Sequence, residues 1–439
     1  ISEMRKSGLN IMMSMKAEAK PVSFVEDCAV ELSDLAEYTD QLTRIFEKYG
    51  TTGTWYAHAS VGCLHVRPVL NMKRGEDVAA MRGIAEEAFD LVKRYGGSHS
   101  GEHGDGIARS EFNTVMFGPK MAELFADVKQ MFDPQNIMNP GKITNAPKMD
   151  DRHLFRFAPG YKVNSFPTKL NWSAWPGAAG GLQGAVEMCN NNGSCRKLTG
   201  GVMCPSFRVT RNEIDSTRGR ANSLRLALSG QLGADALASP DMAETMKLCV
   251  SCKACKRECP TGVDMARMKV EVTALRTEAK GLSFHDWLVA HLPRYAPYMA
   301  AMAPVIRLRD IVPGAAWLSE KLTGFTARRP LPRWQRKWFR DNELPQTPNK
   351  GVKSTSEKLP LLLFIDSFNR YFEPENLRAA IRVFQATGYD VFVPSPIDNG
   401  RPLCCGRTYL STGLIDLARE EAGRLAATLA PFARAGIPI

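Results

Sequence analysis

Two amphipathic helices and two strands are predicted in the first hundred residues. Apolar residues recur at helical spacing in two runs, Leu32–Tyr49 and Val78–Val92, and a glycine follows each run. Two stretches rich in strand formers, Thr54–Ala59 and Cys63–Leu70, lie between them and are separated by a short turn through Gly62. The first third of the chain therefore has an α+β pattern.

The rest of the chain divides into an irregular stretch, a cysteine-rich stretch and an alternating stretch. After Gly141 the sequence turns polar and irregular, which indicates a linker, and a Pro- and Arg-rich helical connector is predicted up to about residue 350. An apolar strand over Leu361–Asp366, a helical pattern over Glu375–Thr387 and a second strand over Asp390–Pro394 then follow. This alternation predicts a βαβ unit at the start of a further domain.

Length and charge give limited information about the number of domains and the kind of partner. A chain of 439 residues is too long for one compact core, so roughly two to four domains are expected. The net charge is +11, and much of the excess lies between Arg328 and Arg340. A solvated helix face is the favoured interpretation there, and docking to a partner is the alternative. The most hydrophobic stretch, Tyr298–Leu318, is interrupted by charged residues, so no transmembrane segment is predicted.

The ends of the sequence and its cysteines point to a reducing compartment. The chain carries no secretory signal pattern, and both ends are expected to be cut from a longer protein. The 11 cysteines are bunched, which in such a chain indicates metal binding rather than disulfides. A cytoplasmic location follows, with peripheral attachment at the inner face of a membrane left open.

The spacing CxxCxxCxxxCP is the strongest chemical signal in the sequence. Four thiolates at this spacing close on an iron-sulfur cube as the chain wraps around it. A tetrahedral zinc site is the alternative, but three ligands at intervals of three followed by Cys-Pro favour the cube. The four residues are Cys249, Cys252, Cys255 and Cys259.

Three cysteines upstream leave the number of clusters open. Cys189 and Cys195 are six residues apart, with Asn192 where CxxCxxC would have its middle thiolate. Cys204 precedes a proline, and in two-cluster ferredoxins that cysteine binds the other cluster. One arrangement gives a complete cube on Cys204, Cys249, Cys252 and Cys255 and a second cluster on Cys189, Cys195 and Cys259. The alternative is a single cluster on the four downstream cysteines.

Two adjacent cysteines form a further thiol motif near the end of the chain. Cys404 and Cys405 precede Gly406 in a loop after the predicted βαβ unit. Two cysteines cannot complete a cluster by themselves. They are interpreted as redox thiols or as part of a cluster or metal site, and two buried thiols are the alternative.

Two histidines and a carboxylate form a candidate metal site. His58 and His65 stand on either side of the predicted turn, so on paired strands both imidazoles face one point. A Gly-rich loop over residues 96–106 lets the backbone approach a flat ligand and presents Glu102 and His103. Glu102 completes a two-histidine, one-carboxylate set for a divalent metal. Histidine titrates near neutral pH, so His103 is suited to take a proton from a substrate hydroxyl, whereas His99 is treated as a decoy.

A carboxylate on the substrate would need a cationic anchor. The candidates are Arg5, Lys20 and Arg67. Singly, each of them is more often an ordinary surface charge. Arg67 is the best placed because it follows His65 by two residues and so shares its strand face.

Three motifs in the first third resemble the C-terminal domain of FAD-linked oxidases of the vanillyl-alcohol-oxidase type. They are the segments Tyr56–Pro68, Ser100–Gly106 and Asp133–Pro140. That family includes D-lactate, D-2-hydroxyglutarate and glycolate dehydrogenases. The order of these motifs with CxxCxxCxxxCP and Cys-Cys-Gly is most similar to bacterial fused D-2-hydroxyglutarate dehydrogenases, over nearly the whole chain.

The resemblance implies cofactors and roles for particular residues. FAD, one or two 4Fe-4S clusters and Zn²⁺ or a similar divalent metal are expected, and the nucleotide-binding domain is expected upstream of residue 1. The implied metal ligands are His58, His65 and Glu102. The residues implied to approach FAD are Glu102, Asn139 and His103, the last as the catalytic base. The implied contacts to the substrate carboxylate are Arg5 and Lys20.

Three departures from the family pattern affect these expectations. Relatives often carry Gly-Asp-Gly-Asn where this chain has Ser60–Cys63, and Arg67 often corresponds to an asparagine. The size of the substrate is therefore expected to differ. Asn192 replaces a cysteine that is usual in the glycolate-oxidase iron-sulfur subunit, which the cysteine-rich part resembles.

The expected fold class is multidomain α+β. It comprises a ferredoxin-like α+β cap domain over residues 1–147, a linker over 148–184, an α-helical two-cluster ferredoxin domain over 185–275, a helical connector over 276–357 and a partial α/β Cys-Cys-Gly domain over 358–439.

The leading hypothesis for function is oxidation of D-2-hydroxyglutarate, or else D-lactate, to the 2-oxo acid. Electrons would pass from FAD through the clusters to an external quinone, cytochrome or electron-transfer flavoprotein. The alternative is an iron-sulfur electron-transfer subunit of a glycolate-oxidase-like or heterodisulfide-reductase-like complex. An iron-sulfur enzyme acting on nucleic acid is not favoured, because no nucleic-acid motif is recognisable.

Overall fold

The chain forms two compact units that mix helix and sheet. The computed structural model describes residues 8, 10–164, 167–178, 180–347, 358–398 and 400–439. One unit comprises residues 1–234 and 248–265, and the other comprises residues 235–247 and 266–439. The expectation of mixed helix and sheet is confirmed, with 51% of the residues in helices.

The described helices are mostly short outside a few long ones. In chain order they are α1 (Leu35–Lys48), α2 (Gly75–Arg94), α3 (Gly106–Ser110), α4 (Asn113–Phe117), α5 (Pro119–Phe132), α6 (Gly181–Glu187), α7 (Pro205–Thr210), α8 (Thr217–Leu228), α9 (Pro240–Lys247), α10 (Ala254–Glu258), α11 (Met265–Lys280), α12 (Phe284–Ala301), α13 (Ala303–Ile306), α14 (Leu308–Ile311), α15 (Ala315–Thr323), α16 (Ser367–Tyr371), α17 (Pro374–Ala386), α18 (Arg407–Ser411) and α19 (Ile415–Arg434).

The first unit is built on an antiparallel sheet with β4 at its centre. Its strands are β1 (Lys20–Pro21), β2 (Cys28–Ala29), β3 (Gly53–His58) and β4 (Cys63–Leu70). β3 follows β4 along one edge, β2 pairs with its first two residues, and β1 pairs with its last two. The predicted hairpin of two strands is confirmed.

Helices α1 and α2 cover one face of this sheet. Leu42 and Ile84 are fully buried between the helices and the strand residues Leu64 and Val66. Side chains alternate between the two faces of a strand, so Cys63, His65 and Arg67 lie on the opposite face of β4. Both predicted helices are confirmed, although α1 begins at Leu35 and leaves Leu32 exposed.

Two glycines allow close backbone approaches beside the sheet. Gly62 has a φ of +67°, and a Cβ there would lie 1.9 Å from the carbonyl oxygen of Val30. A Cβ on Gly97 would lie 2.2 Å from the carbonyl oxygen of Ala29. Ala29 and Ser98 exchange two backbone hydrogen bonds of 2.9 Å, which bring the Gly-rich loop alongside β2. Glycine is therefore required at both positions.

The described part of the stretch 148–184 makes specific contacts on both sides. Met149 belongs to the core of the first sheet, while Arg156 donates to the carbonyl oxygen of Cys189 at 2.8 Å. Lys73, in the loop after β4, forms an ion pair with Glu187 at the end of α6, and both side chains are about nine-tenths buried. A buried ion pair thus joins the sheet to the cysteine-rich part of the first unit.

The second unit contains a parallel sheet in the order β5-β7-β6. Its strands are β5 (Gln346–Thr347), β6 (Leu359–Leu362) and β7 (Tyr389–Pro394). β6 and β7 are parallel and α17 lies between them in sequence, so the predicted βαβ unit is confirmed. The first strand is shorter than predicted because Asp366 caps α16, accepting hydrogen bonds from two backbone N–H groups.

The connector is helical only in its first part. Helices extend to Thr323, after which Gly324 adopts a φ of +74° and residues 324–340 are irregular. Pro330 and Pro332 prevent a new helix from forming there. The prediction of a solvated helix face for the arginines between 328 and 340 is therefore wrong.

The buried face of α1 provides a test of the core. Replacing Leu42 by Ala removes a fully buried side chain and leaves a cavity, so the free energy of unfolding is expected to fall by about 2–5 kcal/mol. Leu32→Ala is the matched control, because Leu32 is 56% exposed in the same apolar run. Urea unfolding followed by far-UV circular dichroism compares the two. Equal effects would contradict the assignment of the buried face.

Candidate active site

The register of β3 on β4 brings the two predicted metal histidines to one face of the sheet. His58 pairs with Cys63, and Tyr56 pairs with His65. Residues directly opposite each other on antiparallel strands point to the same side. The centroids of the His58 and His65 rings lie 4.9 Å apart. Both imidazoles therefore face one point, as the hairpin pattern predicted.

Glu102 reaches the same point from the Gly-rich loop. Its Oε1 lies 3.1 Å from Nε2 of His58 and 3.0 Å from Nε2 of His65. The ring of His103 stacks on that of His65 with centroids 4.8 Å apart, and its Nε2 lies 3.4 Å from Glu102 Oε1. Three imidazoles thus surround one carboxylate oxygen.

The donor set of His58, His65 and Glu102 fits a divalent cation. Zinc–ligand bonds of about 2.0–2.1 Å place neighbouring ligand atoms of a tetrahedron about 3.3 Å apart. The separations of 3.0 and 3.1 Å between the carboxylate oxygen and the imidazole nitrogens are close to this value. Burial, and then the neighbouring His103, lower the pKa of His65. A neutral imidazole with an available lone pair is the form that binds a metal.

Asp27 holds the loop that carries Glu102 and His103. Its side chain is fully buried, and its two oxygens accept hydrogen bonds from the backbone N–H of Glu102 at 3.0 Å and of His103 at 2.9 Å. The guanidinium of Arg109 lies 3.4 Å away and balances its charge. Asp27 therefore fixes where both functional side chains leave the backbone.

Cys63 completes a group of potential ligands that sequence reasoning did not assemble. One donor atom from each of Asp27, Cys63, His65 and Glu102 lies within 4.8 Å of the others. Burial, and then Asp27, raise the pKa of the Cys63 thiol to about 12. Without a metal Cys63 remains a thiol that donates to Asp27 at 3.6 Å. Asp27 could have been noticed in the sequence, because it and Glu26 are adjacent carboxylates within the apolar run Phe24–Val30.

Arg67 lies on the predicted face, but its charge is paired. Its Nε contacts the carboxylate of Glu26, and both side chains are about nine-tenths buried. Its Nη2 donates to the hydroxyl of Tyr56 at 3.4 Å. Nδ1 of His103 lies 3.8 Å from carboxylate oxygens of both Glu26 and Asp27. Glu26 therefore links the candidate anchor to the candidate base.

Lys20 does not join this cluster. It pairs with Leu70, five residues beyond His65 on β4, which corresponds to roughly 17 Å along the strand. Its Nζ lies 3.5 Å from the sulfur of Met188. Burial, and then Lys73, lower the pKa of Lys20 to about 8. The other cation implied by the resemblance, Arg5, lies outside the described residues.

Asn139 lies in an exposed turn after α5. Asp133 organises this turn by accepting hydrogen bonds of 2.9 Å from the backbone N–H of Ile137 and of Met138. Asn139 has a φ of +47°, and its side chain accepts a hydrogen bond from Lys142. The turn leaves Ile137 and Met138 largely exposed.

His99 lies inside the core behind the Gly-rich loop. It is fully buried and packs edge-on against Phe89, with centroids 5.3 Å apart. Burial is the main cause that lowers its pKa. Its interpretation as a decoy agrees with this position.

The upstream cysteines are buried thiols of the first unit. Cys189 and Cys195 are buried, and burial is the main cause that raises the pKa of each. Cys259 and Cys195 both raise the pKa of Cys189 further through their charge. The charge of Cys204 also raises the pKa of Cys195.

Cys204 lies in a polar pocket formed by an arginine and a serine. Its Sγ is 3.7 Å from Nη1 of Arg220, a fully buried guanidinium that also forms an ion pair with Asp215 at 3.3 Å. Ser206 lies 3.5 Å from the same sulfur.

The amide beside the sulfur of Cys189 is that of Asn191 rather than that of Asn192. Asn191 Oδ1 lies 3.8 Å from Sγ of Cys189 and accepts a hydrogen bond from Asn222 at 2.9 Å. The side chain of Asn192 is exposed and bonds within the local turn, to Asn190 and to the N–H of Ser194.

The vicinal cysteines differ in their environments. Cys404 is buried and Cys405 is exposed. A hydrogen bond from Cys404 is the main cause that lowers the pKa of Cys405 to about 6, whereas the pKa of Cys404 is raised well above its usual value. Cys405 is therefore the reactive member of the pair.

Comparisons with known families match two parts of the chain. Residues 1–143 match the family model described as FAD linked oxidases, C-terminal domain. Residues 185–263 match the family model described as 4Fe-4S dicluster domain. The chain is therefore similar to an oxidase domain in its first third and to a dicluster domain in its cysteine-rich part. The resemblance read from the motifs is confirmed for both parts.

Curated relatives match nearly the whole chain. The D-2-hydroxyglutarate dehydrogenase of Escherichia coli (strain K12) is 27% identical over 100% of this chain and 46% of its own length. That of Pseudomonas putida is 28% identical over 99% of this chain and 46% of its length. A D-lactate dehydrogenase of Archaeoglobus fulgidus is 33% identical over 28% of this chain and 27% of its length. The chain spans less than half the length of the first two relatives.

The hydrogen bonds of Asp27 provide a test of the loop geometry. In Asp27→Asn the side-chain amide cannot accept at both positions, so the loop with Glu102 and His103 is expected to shift. Metal affinity should fall roughly 10- to 100-fold, as is typical when a group that orients a ligand is lost. Zinc titration of the full-length protein measures this. Asp40→Asn, at a surface ion pair, is the control, and equal affinities would contradict the assigned role.

The vicinal thiols provide a test that depends on pH. Alkylation of Cys405 by iodoacetamide is expected to rise with pH around a midpoint near 6, because the thiolate is the reactive form. Cys404 should stay largely unmodified below pH 8. Mass spectrometry of the peptide that contains both residues measures each site, and Cys405→Ser identifies the labelled sulfur. Preferential labelling of Cys404 would contradict the assignment.

Proposed function

We propose that the complete protein oxidises a D-2-hydroxy acid to the 2-oxo acid, and that this chain supplies its substrate pocket and its electron exit. The observation that carries the proposal is the convergence of His58, His65 and Glu102 beside His103, in a part that matches FAD-linked oxidases. D-2-hydroxyglutarate is the proposed substrate and D-lactate the next choice. The relatives that match over nearly the full chain are named D-2-hydroxyglutarate dehydrogenase, and a relative that matches a shorter part is named D-lactate dehydrogenase.

His58, His65 and Glu102 are the proposed ligands of a divalent ion, Zn²⁺ or a similar metal. When bound, this ion polarises the substrate hydroxyl, and FAD accepts the hydride from C2. His103 takes the hydroxyl proton on Nε2, the nitrogen nearer Glu102. The carboxylates of Glu26 and Asp27 lie 3.8 Å from Nδ1 and would stabilise the resulting imidazolium.

Arg67 is the proposed anchor of the substrate carboxylate. It shares a strand face with His65, and Glu26 and Tyr56 engage only part of its five-donor fork. A carboxylate could therefore bind without expelling Glu26. Glu102 and Asn139 remain the proposed approach to FAD, and Lys20 is left out because it lies at the other end of β4.

The cysteine-rich part is the proposed path for electrons out of the flavin. Clusters, when bound, accept electrons one at a time. The two-cluster arrangement is favoured because the matching family is described as a dicluster domain. The complete cube would then use Cys204, Cys249, Cys252 and Cys255. A quinone, a cytochrome or an electron-transfer flavoprotein is the proposed acceptor.

The proposed domain division follows the sequence pattern. An α+β cap occupies residues 1–147, the two-cluster domain residues 185–275, and a partial Cys-Cys-Gly domain residues 358–439. Cys404 and Cys405 would then belong to a redox or cluster site in the last of these.

Glu102→Gln in the full-length enzyme tests the proposal. The neutral amide is a weaker ligand, so metal content and turnover are both expected to fall by more than roughly 100-fold. Cluster absorbance should stay unchanged. Turnover is measured with D-2-hydroxyglutarate, D-lactate and glycolate, and metal content by mass spectrometry. Glu76→Gln, at a side chain that is 81% exposed, is the control. Unaltered turnover in Glu102→Gln would contradict the proposal.

A further inference from the structure

The segment 298–322 exposes its large apolar side chains and buries an arginine. Large apolar side chains point to solvent, among them Ile311 at 70% exposure and Leu322 at 65%, whereas the guanidinium of Arg309 is 8% exposed. The exposed apolar residues are Tyr298, Met302, Val305, Leu308, Ile311, Val312, Trp317, Leu318 and Leu322. A surface that faced only water would have the reverse pattern.

Helix α15 has its apolar face on the outside. Trp317, Leu318 and Leu322 are exposed on one side, while the small or polar residues Ala316 and Ser319 are half-buried on the other. The end of α12 follows the same pattern, since the alanines at 296 and 300 are fully buried and Tyr298 is 72% exposed. Small side chains thus face inward on both helices and large ones face outward.

Hydrogen bonds of the buried Arg309 stabilise this inverted arrangement. It donates to the hydroxyl of Ser319 at 3.2 Å and to the carbonyl oxygen of Thr326 at 2.7 Å. A third N–H points to the carbonyl oxygen of Phe325 at 3.4 Å. The guanidinium also pairs with the carboxylate of Asp310. A buried guanidinium with these four partners holds α14, α15 and the chain after them together. Turning the apolar side chains inward would break these bonds.

Basic side chains border the apolar face. Arg307, Arg328, Arg329 and Arg333 line a cavity of about 560 Å³, in which Asp310 is the acidic residue. Lys321 lies with its Nζ 6.0 Å from the centre of the Trp317 ring. Lysine and arginine beside tryptophan and aliphatic side chains are typical of segments that lie in the interface of an anionic membrane.

We propose that the segment 298–322 and the arginines at 307, 328, 329 and 333 attach this chain to the surface of an anionic lipid bilayer. The apolar side chains enter the boundary between headgroups and acyl chains, and the basic residues contact lipid phosphates. Charge favours lipid over a second copy of the chain, because two equally basic surfaces would repel each other. Among the described residues, no helix is long and apolar enough to cross a bilayer, so attachment is peripheral.

Vesicle co-sedimentation of the full-length protein with its cofactors tests this proposal. Binding to vesicles of phosphatidylcholine and phosphatidylglycerol is expected, with little binding to phosphatidylcholine alone and weaker binding at high salt. The combined change Trp317→Ser, Leu318→Ser, Leu322→Ser should lower binding at least tenfold. Arg328→Gln, Arg329→Gln, Arg333→Gln should lower it about fivefold for each arginine removed.

The controls separate lipid binding from other causes. Leu359→Ser, Val383→Ser, Ile397→Ser removes three comparably exposed apolar side chains elsewhere in the second unit and should leave vesicle binding unchanged. All variants should retain turnover with a soluble acceptor, because none of these residues belongs to the proposed active site. Absence of binding to anionic vesicles, or equal binding by all variants, would overturn the proposal. Self-association in solution that the Trp317 variant abolishes would overturn it as well, because the face would then be an interface between copies.

Discussion

The pairing of β3 with β4 is the constraint on which the candidate site depends. One face of β4 carries Leu64 and Val66 into the core beneath α1 and α2, and the other carries His65 and Arg67. A slip of one residue would exchange these two faces. The hydrophobic core therefore fixes the register, and the register in turn brings the two imidazoles together. A surface histidine pair would have no comparable restraint.

Long-range contacts complete what the hairpin begins. Asp27 directly precedes the short strand β2 and is far from the Gly-rich loop in sequence, yet it accepts hydrogen bonds from the backbone of Glu102 and His103. The close approach at Gly97 makes this contact available, because any side chain there would strike the carbonyl oxygen of Ala29. The functional side chains are thus oriented by backbone hydrogen bonds and not by their own exposed groups. Partly exposed side chains such as Glu102 and His103 gain most from such support.

Sequence patterns predicted the parts of the structure that depend on local chemistry. The two helices, the hairpin through Gly62 and the convergence of His58 and His65 follow from periodicities of 3.6 and 2 residues. Asp27 could not be found in this way, because its role depends on a contact across more than seventy residues. Lys20 was a candidate anchor both for its charge and by the resemblance, and the register of β1 moves it away from the histidines. The irregular chain after Gly324 was missed because helical spacing was extended past residues that end helices.

The buried pair of Lys73 and Glu187 joins the antiparallel sheet to the cysteine-rich part of the same unit. Glu187 stands two residues before Cys189, and Lys73 follows the strand that carries His65. Cutting the chain between these parts would separate the buried carboxylate of Glu187 from Lys73 and leave Lys73 with Glu18, 4.0 Å away, as its acidic partner. Removing one member of a buried ion pair is strongly destabilising. The two parts are therefore poor candidates for exchange with unrelated modules. A chimera that keeps only one of the two parts would need the other residue of the Lys73–Glu187 pair in its new partner part.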